Sequence, residues 1–127
     1  MDGLIDTSNL IDILRGYPKA AAWMQSATGL ELVVPSVVRM ELGYGAKNKT
    51  EQTKAMRLCA IYALAFPTAA DAEWALRQFE AFHLSHQIEI LDCFIAAMSM
   101  RLQLPIYTRN VKDFSILPDV TVHVPYT

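Results

Sequence analysis

The chain has 127 residues, 53% of them hydrophobic and 19% charged, with 11 Lys and Arg against 13 Asp and Glu for a formal net charge of −2. This excludes general disorder, and the length suits one ordinary domain over residues 1–127. No run approaches the roughly 20 uncharged residues of a membrane-spanning helix, no basic leader opens the chain, and the near-balance of charge argues at first against a nucleic-acid partner.

Short β-rich runs alternate with helical patterns. Gly3-Leu4-Ile5 is a brief apolar strand closed by Asp6, and residues 7–15 carry Leu10, Ile11 and Leu14 at helical spacing until Gly16-Tyr17-Pro18 stops them. A second helix is predicted over 19–28, a β-branched strand over 30–35, and helices over 36–47 and 51–62. A short strand over 64–67 leads to a helix over 69–82, with Trp74, Leu76 and Phe79 as its apolar bulk. A helix over 92–104 and strands over 105–108 and 120–124 complete the pattern. Helices alternating with short, nearly all-apolar strands predict an α/β fold whose parallel sheet is covered on both faces.

Cys59 and Cys93 are far apart in apolar stretches and read as buried thiols of a cytoplasmic protein, without disulfide or zinc spacing. The His83-x-x-His86 pair falls where a helix is predicted to end, a position that suits cations as well as a metal. No Gly-x-Gly-x-x-Gly, Walker loop or serine nucleophile elbow is present.

The strand-to-helix junctions, where ligands of open α/β sheets bind, hold carboxylates instead. Asp6 ends the first strand, and Asp113 follows the strand over 105–108 within Thr108-Arg109-Asn110-Val111-Lys112-Asp113-Phe114. Glu41 shares a helix face with Val37, Val38 and Tyr44, and Asp92 shares one with Ile88, Ile95, Ala96 and Ser99. Inward-facing acids are costly unless paired or bound to a cation, and converging ones repel until a divalent ion is present. Other roles stay open for each acid alone: Asp6 suits a helix cap, Asp92 a helix N-terminus, and Asp113 a surface turn. Glu41, inside a helix, has no cap to serve.

Leu4-Ile5-Asp6-Thr7-Ser8, Met40-Glu41-Leu42-Gly43-Tyr44-Gly45-Ala46, Leu91-Asp92-Cys93-Phe94-Ile95-Ala96-Ala97 and Tyr107-Thr108-Arg109-Asn110-Val111-Lys112-Asp113-Phe114 resemble, in order, the four acidic motifs of PIN-domain nucleases. The resemblance spans nearly the whole chain and is greatest to VapC-type toxins of toxin–antitoxin pairs. It implies a five-stranded, mainly parallel sheet in a three-layer α/β/α fold, Mg²⁺ or Mn²⁺ at the acidic cluster, and endonucleolytic cleavage of RNA. By position, Asp6, Glu41, Asp92 and Asp113 would form the catalytic, metal-binding tetrad, with Ser8 and Thr108 as hydroxyl partners. Asn110 would orient groups or contact substrate. An oxygen-only donor set suits a hard, hexacoordinate cation independently of the resemblance.

Arg109 and Lys112 beside Asp113, and Arg39, Lys47 and Lys49 around Glu41, are candidates to hold the RNA backbone, or else members of solvated faces. The resemblance further implies a homodimer and a cognate antitoxin laid across the groove, with exposed members of Trp23, Met24, Tyr62, Trp74 and Phe82 as interface. Two other readings remain: a non-catalytic RNA- or protein-binding module on the same fold, and an Asp-nucleophile phosphohydrolase of haloacid-dehalogenase type. Ser8 weakens the latter, since a second Asp is expected two residues after the first. Assigning four of the 13 acids to metal leaves nine against 11 cations, so the overall charge no longer opposes RNA.

Overall fold

Apolar runs of only a few residues bury both of their faces when helices cover a sheet on either side. The computed structural model describes Met1–Thr127, and in it β1 (Gly3–Ile5) and β2 (Leu32–Pro35) are buried at every residue. With β3 (Ala63–Ala65), β4 (Ile106–Tyr107) and β5 (Val122–His123) they form a five-stranded sheet in the order β3-β2-β1-β4-β5. Every neighbouring pair is parallel, with Leu4 in register with Val33 on one side and Ile106 on the other.

The connections are helices: α1 (Thr7–Leu14) and α2 (Pro18–Ser26), then α3 (Ser36–Tyr44) and α4 (Lys49–Cys59), then α5 (Ala69–His86) and α6 (Ile90–Leu102). The predicted α/β/α architecture is therefore observed. Side chains alternate across the sheet, so Leu4 and Val33 meet Met98 of α6 in a small cluster. Ile5, Leu32 and Val34 join a larger core with Leu10, Trp23, Val38, Ile95, Ala96 and Phe114.

The chain first builds outward from β1 through β2 to β3, then crosses back to place β4 on the other side of β1. The strand order reverses between β1 and β4, and the crevice beyond their carboxyl ends is the switch point where such sheets bind ligands.

Local signals set most boundaries. Gly16, with φ +74°, closes α1 in a left-handed conformation, and Pro18 opens α2. Asn48 caps α4 through the amide of Glu51, so that helix starts at Lys49 rather than residue 51. Thr68 and Asp71 form a capping box that fixes the start of α5, and Arg101 of α6 pairs with Asp71 at 2.9 Å.

Several expectations are corrected. α5 runs four residues past the predicted end at Phe82, because His83 stacks on Phe79 at 4.6 Å and the turn comes only at Gln87, in a left-handed conformation. α6 begins at Ile90, which makes Asp92 its third residue. Tyr44, placed with Glu41 on a packed face, is 93% exposed. Trp23 is buried, and Met24, Tyr62, Trp74 and Phe82 pack half-buried on the core. Apolar groups left in solvent instead include Met40, Tyr44, Ile61, Phe66, Leu76, Leu84 and Ile90.

Gly3 lies beneath the Tyr107 ring, which also meets Trp23 with ring centroids 5.9 Å apart. A β-carbon there would overlap that ring in a strand with no slack. Gly3→Ala is expected to lower unfolding stability by about 1–3 kcal/mol, the usual cost of overpacking, measured as a shifted urea midpoint with an unchanged slope.

Candidate active site at the β1/β4 switch point

Asp6 immediately follows β1 at the N-cap position of α1, yet its side chain makes no capping hydrogen bond. The Thr108 hydroxyl, just after β4, donates to Asp6 Oδ2 at 2.7 Å, and the Ser8 hydroxyl donates to the same oxygen at 3.2 Å. Thr108 Oγ1 in turn accepts the Asn110 amide at 3.0 Å. These bonds hold the carboxylate across the crevice through uncharged donors. The alternative reading of Asp6 as a helix cap does not hold.

The β1–β4 seam is tied further by the Asp6 amide donating to the Tyr107 carbonyl at 3.0 Å and by Asn9 Nδ2 donating to that same carbonyl at 2.9 Å. Asn9 is fully buried, and the sequence reading passed over it. Its signal was an amide placed on the inward face of α1.

Asp92 projects from the first turn of α6 and is 7% exposed, with Ile95, Ala96 and Ser99 of that helix buried as expected, while Ile88, also buried, precedes the helix and shares no face of it. Glu41 lies half-buried in the middle of α3, and Asp113 ends a single 3₁₀ turn, Val111–Asp113, on an exposed loop with its carboxyl partly shielded on the side of Asp6 and Glu89. Burial together with the charges of Asp113, Asp6, Glu89 and Glu41 pushes Asp92 up from its ordinary 3.8 to about 8. Burial, then Asp6 and Glu89, also raise Asp113. Asp6, Glu41 and Asp113 therefore all act electrostatically on Asp92, and Asp6 acts on Asp113 as well. As placed, no three of them approach closely enough to ligate one ion.

Glu89 is the acid that sequence reasoning missed. It occupies the N-cap of α6, makes no capping hydrogen bond, and adds charge at both Asp92 and Asp113. The mistaken helix start at residue 92 hid it, since a start at Ile90 puts Glu89 on the same helix end.

The donor set is wholly oxygen: carboxylates, two hydroxyls and the Asn110 amide. Among the groups acting on Asp92 every one is an acid, with no Lys or Arg to offset them. A divalent cation fits this excess of negative charge, and a soft, thiolate-preferring metal does not. Cys93 faces away from such chemistry, its thiol raised to about 11 by burial and the Asp92 charge. His83 and His86 lie at the end of α5, engaged with Phe79 and with Ser85 respectively.

The basic candidates divide. Lys47, Lys49 and Lys112 are exposed and take part in no ion pair. Arg39 is half-buried, with Nε 3.4 Å from Met56 Sδ. Arg109 is engaged within the protein: its Nε lies 2.8 Å from Asp12 Oδ2, and its Nη2 donates to Asp12 Oδ1 at 3.1 Å.

Comparisons with known proteins agree with this geometry. The family model for the PIN domain matches residues 3–118. The chain is 30% identical over 121 residues to Ribonuclease VapC19 of Mycobacterium tuberculosis, covering 92% of this chain and 95% of that one. Among solved structures, VapBC2 from Rickettsia felis bound to a DNA fragment from its promoter superposes with a TM-score of 0.79 at 16% identity, over 97% of this chain and 98% of that one. A toxin–antitoxin complex from Klebsiella pneumoniae gives a TM-score of 0.76 at 24% identity, over 98% of each chain. At such identities the structures establish the fold alone, whereas the family model and the Mycobacterium relative establish kinship. With its acids gathered at the switch point of an all-parallel five-stranded sheet, this chain belongs to the PIN-domain family, among its VapC-type members.

Proposed function

We propose that this chain is a ribonuclease toxin of the VapBC kind: a cytoplasmic, Mg²⁺- or Mn²⁺-dependent endoribonuclease, acting as one PIN domain over residues 1–127 and neutralised by a cognate antitoxin. The observation that carries this reading is the field at Asp92, where four other acids act on a buried carboxyl at the sheet's switch point. Kinship with a protein named as a ribonuclease supplies the substrate class. Apolar side chains left in solvent on α3 (Met40, Tyr44) and α5 (Leu76, Leu84) support a homodimer and an antitoxin contact, since such groups favour burial.

In this reading Asp6, Glu41, Asp92 and Asp113 would hold the metal, drawn together by it from their present wider spacing, and Asn110 would orient the substrate or a water beside Asp113. The chemistry supplied there by a divalent cation would be charge stabilisation at the phosphodiester and a more acidic water. The chain's own part is to keep Asp6 aimed, through Thr108 and Ser8, and to supply Asp92 as a carboxylate once its neighbours' charge is offset. Lys47, Lys49 and Lys112 hold the RNA backbone by charge, without reading its sequence. No histidine or lysine serves as base.

Purified protein is expected to cleave RNA only with Mg²⁺ or Mn²⁺, and Asp6→Asn or Asp92→Asn is expected to lower kcat on the order of 10³-fold, the several kcal/mol such an ion supplies. Undiminished cleavage by both variants would falsify the tetrad. Tight partner binding without any calorimetric uptake of Mn²⁺ would favour the non-catalytic module instead. Replacing Lys47, Lys49 and Lys112 with Gln should weaken RNA binding and flatten its dependence on salt, by about one unit of log–log slope for each phosphate no longer neutralised.

The raised Asp92 also makes metal-free stability depend on pH. Below the ordinary value of 3.8 both folded and unfolded chains hold this proton; above it the unfolded chain releases the proton first. Asp92's contribution therefore falls as pH climbs from about 4 to about 8, by at most about 1.4 kcal/mol per unit. Melting in EDTA should show Tm declining across pH 5–8, with the decline shallower in Asp92→Asn and reversed by Mn²⁺ near pH 8.

A further inference from the structure

Asp12 is 5% exposed on α1, and a buried carboxylate must be paired to be tolerated. It has two kinds of partner. The Arg109 guanidinium grips both of its oxygens, at 2.8 and 3.1 Å, and the Tyr126 hydroxyl donates to Oδ2 at 2.8 Å. Arg109 is the first residue of the loop that leads from Thr108 to Asn110 and Asp113. Ser8 and Asp12, one helical turn apart on α1, hold it together: Ser8 Oγ accepts the Arg109 amide at 3.4 Å and Asp12 accepts its side chain.

Tyr126 is seated by its own contacts. Its ring lies 5.8 Å from that of Tyr17 and 6.1 Å from that of Trp23, and Tyr17 Oη and Lys19 Nζ both donate to the Thr127 carbonyl at 3.2 Å. The segment after β5 is thereby strapped to α1 and α2 at the point where Asp12 meets Arg109. Bidentate pairing to a buried carboxylate fixes the guanidinium in direction as well as distance.

We propose that Asp12 is a positioning residue for the acidic site, holding the Arg109–Asp113 loop through Arg109 so that Asn110 and Asp113 face Asp6 and Asp92, with Tyr126 as the clamp on Asp12. The inference rests on the metal-dependent reading above for its effect on activity, though not for its effect on the loop. It assigns Arg109 to the protein's own architecture in place of the RNA backbone.

The two roles of Arg109 give opposite results. If Arg109 positions the loop, Asp12→Asn and Arg109→Gln act in the same direction: each weakens Mn²⁺ binding by roughly 10-fold, as loss of an outer-shell partner does, and lowers kcat with KM little changed. The double variant is no worse than either single one. If Arg109 binds phosphate, Asp12→Asn frees it and lowers KM while Arg109→Gln raises KM; that divergence overturns the proposal.

Hydrogen exchange reads the loop independently of activity. The Asn110, Asp113 and Phe114 amides, bonded to Thr108 Oγ1, the Asn110 carbonyl and the Val111 carbonyl, should exchange faster in Asp12→Asn and in Tyr126→Phe. The amides of β1, β2 and α6 should be unchanged. Equal acceleration everywhere, or none in the loop, also overturns the proposal. If Asp12→Asn does not fold, Arg109→Gln and Tyr126→Phe carry the same test. If the parent protein takes up no Mn²⁺ and cleaves no RNA, the proposed function fails, and the exchange pattern alone decides the positioning role.

Discussion

Parallel pairing of β1 with β4 brings Asp6 and Thr108, 102 positions apart, to a hydrogen bond of 2.7 Å. The pairing exists because the chain completes β2 and β3 on one side of β1 before crossing back. In a parallel sheet the carboxyl ends lie together, so the residues that follow β1 and β4 share one crevice. Ser8, Asn9 and Asp12 on the first helix then face Tyr107, Thr108 and Arg109 across it, and each of these contacts depends on that single adjacency.

The crevice concentrates like charge while the cations of the neighbourhood are placed elsewhere. Arg109 faces Asp12, Arg101 faces Asp71, and what touches Asp6 is a pair of neutral hydroxyls. A hydroxyl can orient a carboxylate without neutralising it, whereas a lysine there would consume the charge a cation needs. The protein thus uses ion pairs to fix the walls of the site and uncharged donors to aim its contents. The result is a buried carboxyl at Asp92 that is poorly ionised near neutral pH until something positive offsets its neighbours.

Asp12 and Asp6 illustrate how the same residue type takes different work from its surroundings. Both lie on or beside α1 and both are almost wholly buried. Asp12 is neutralised by a guanidinium and closed by a phenol, which suits a fixed structural anchor. Asp6 meets only neutral hydroxyls at the mouth of the sheet. Ser8 contacts Asp6 from within the local sequence, but the partners that separate the two roles, Thr108 for Asp6 and Arg109 and Tyr126 for Asp12, arrive from beyond position 105.

Sequence by itself determined the alternation of helices and short strands and the parallel class of the sheet, and it marked four acids as candidates, because period, turn residues and inward-facing charge are local properties. It placed the helix starts less well where the capping signal was weak, which is how Glu89 escaped notice while the box at Thr68 and Asp71 was legible. Only the tertiary structure decided which cations are already engaged, that Trp23 and its neighbours fill the core while Met40 and Tyr44 stay in solvent, and that Asp6 is aimed by Thr108. Those outcomes turn on which strand lies beside which, and strand adjacency is a long-range choice that no local pattern of side chains encodes.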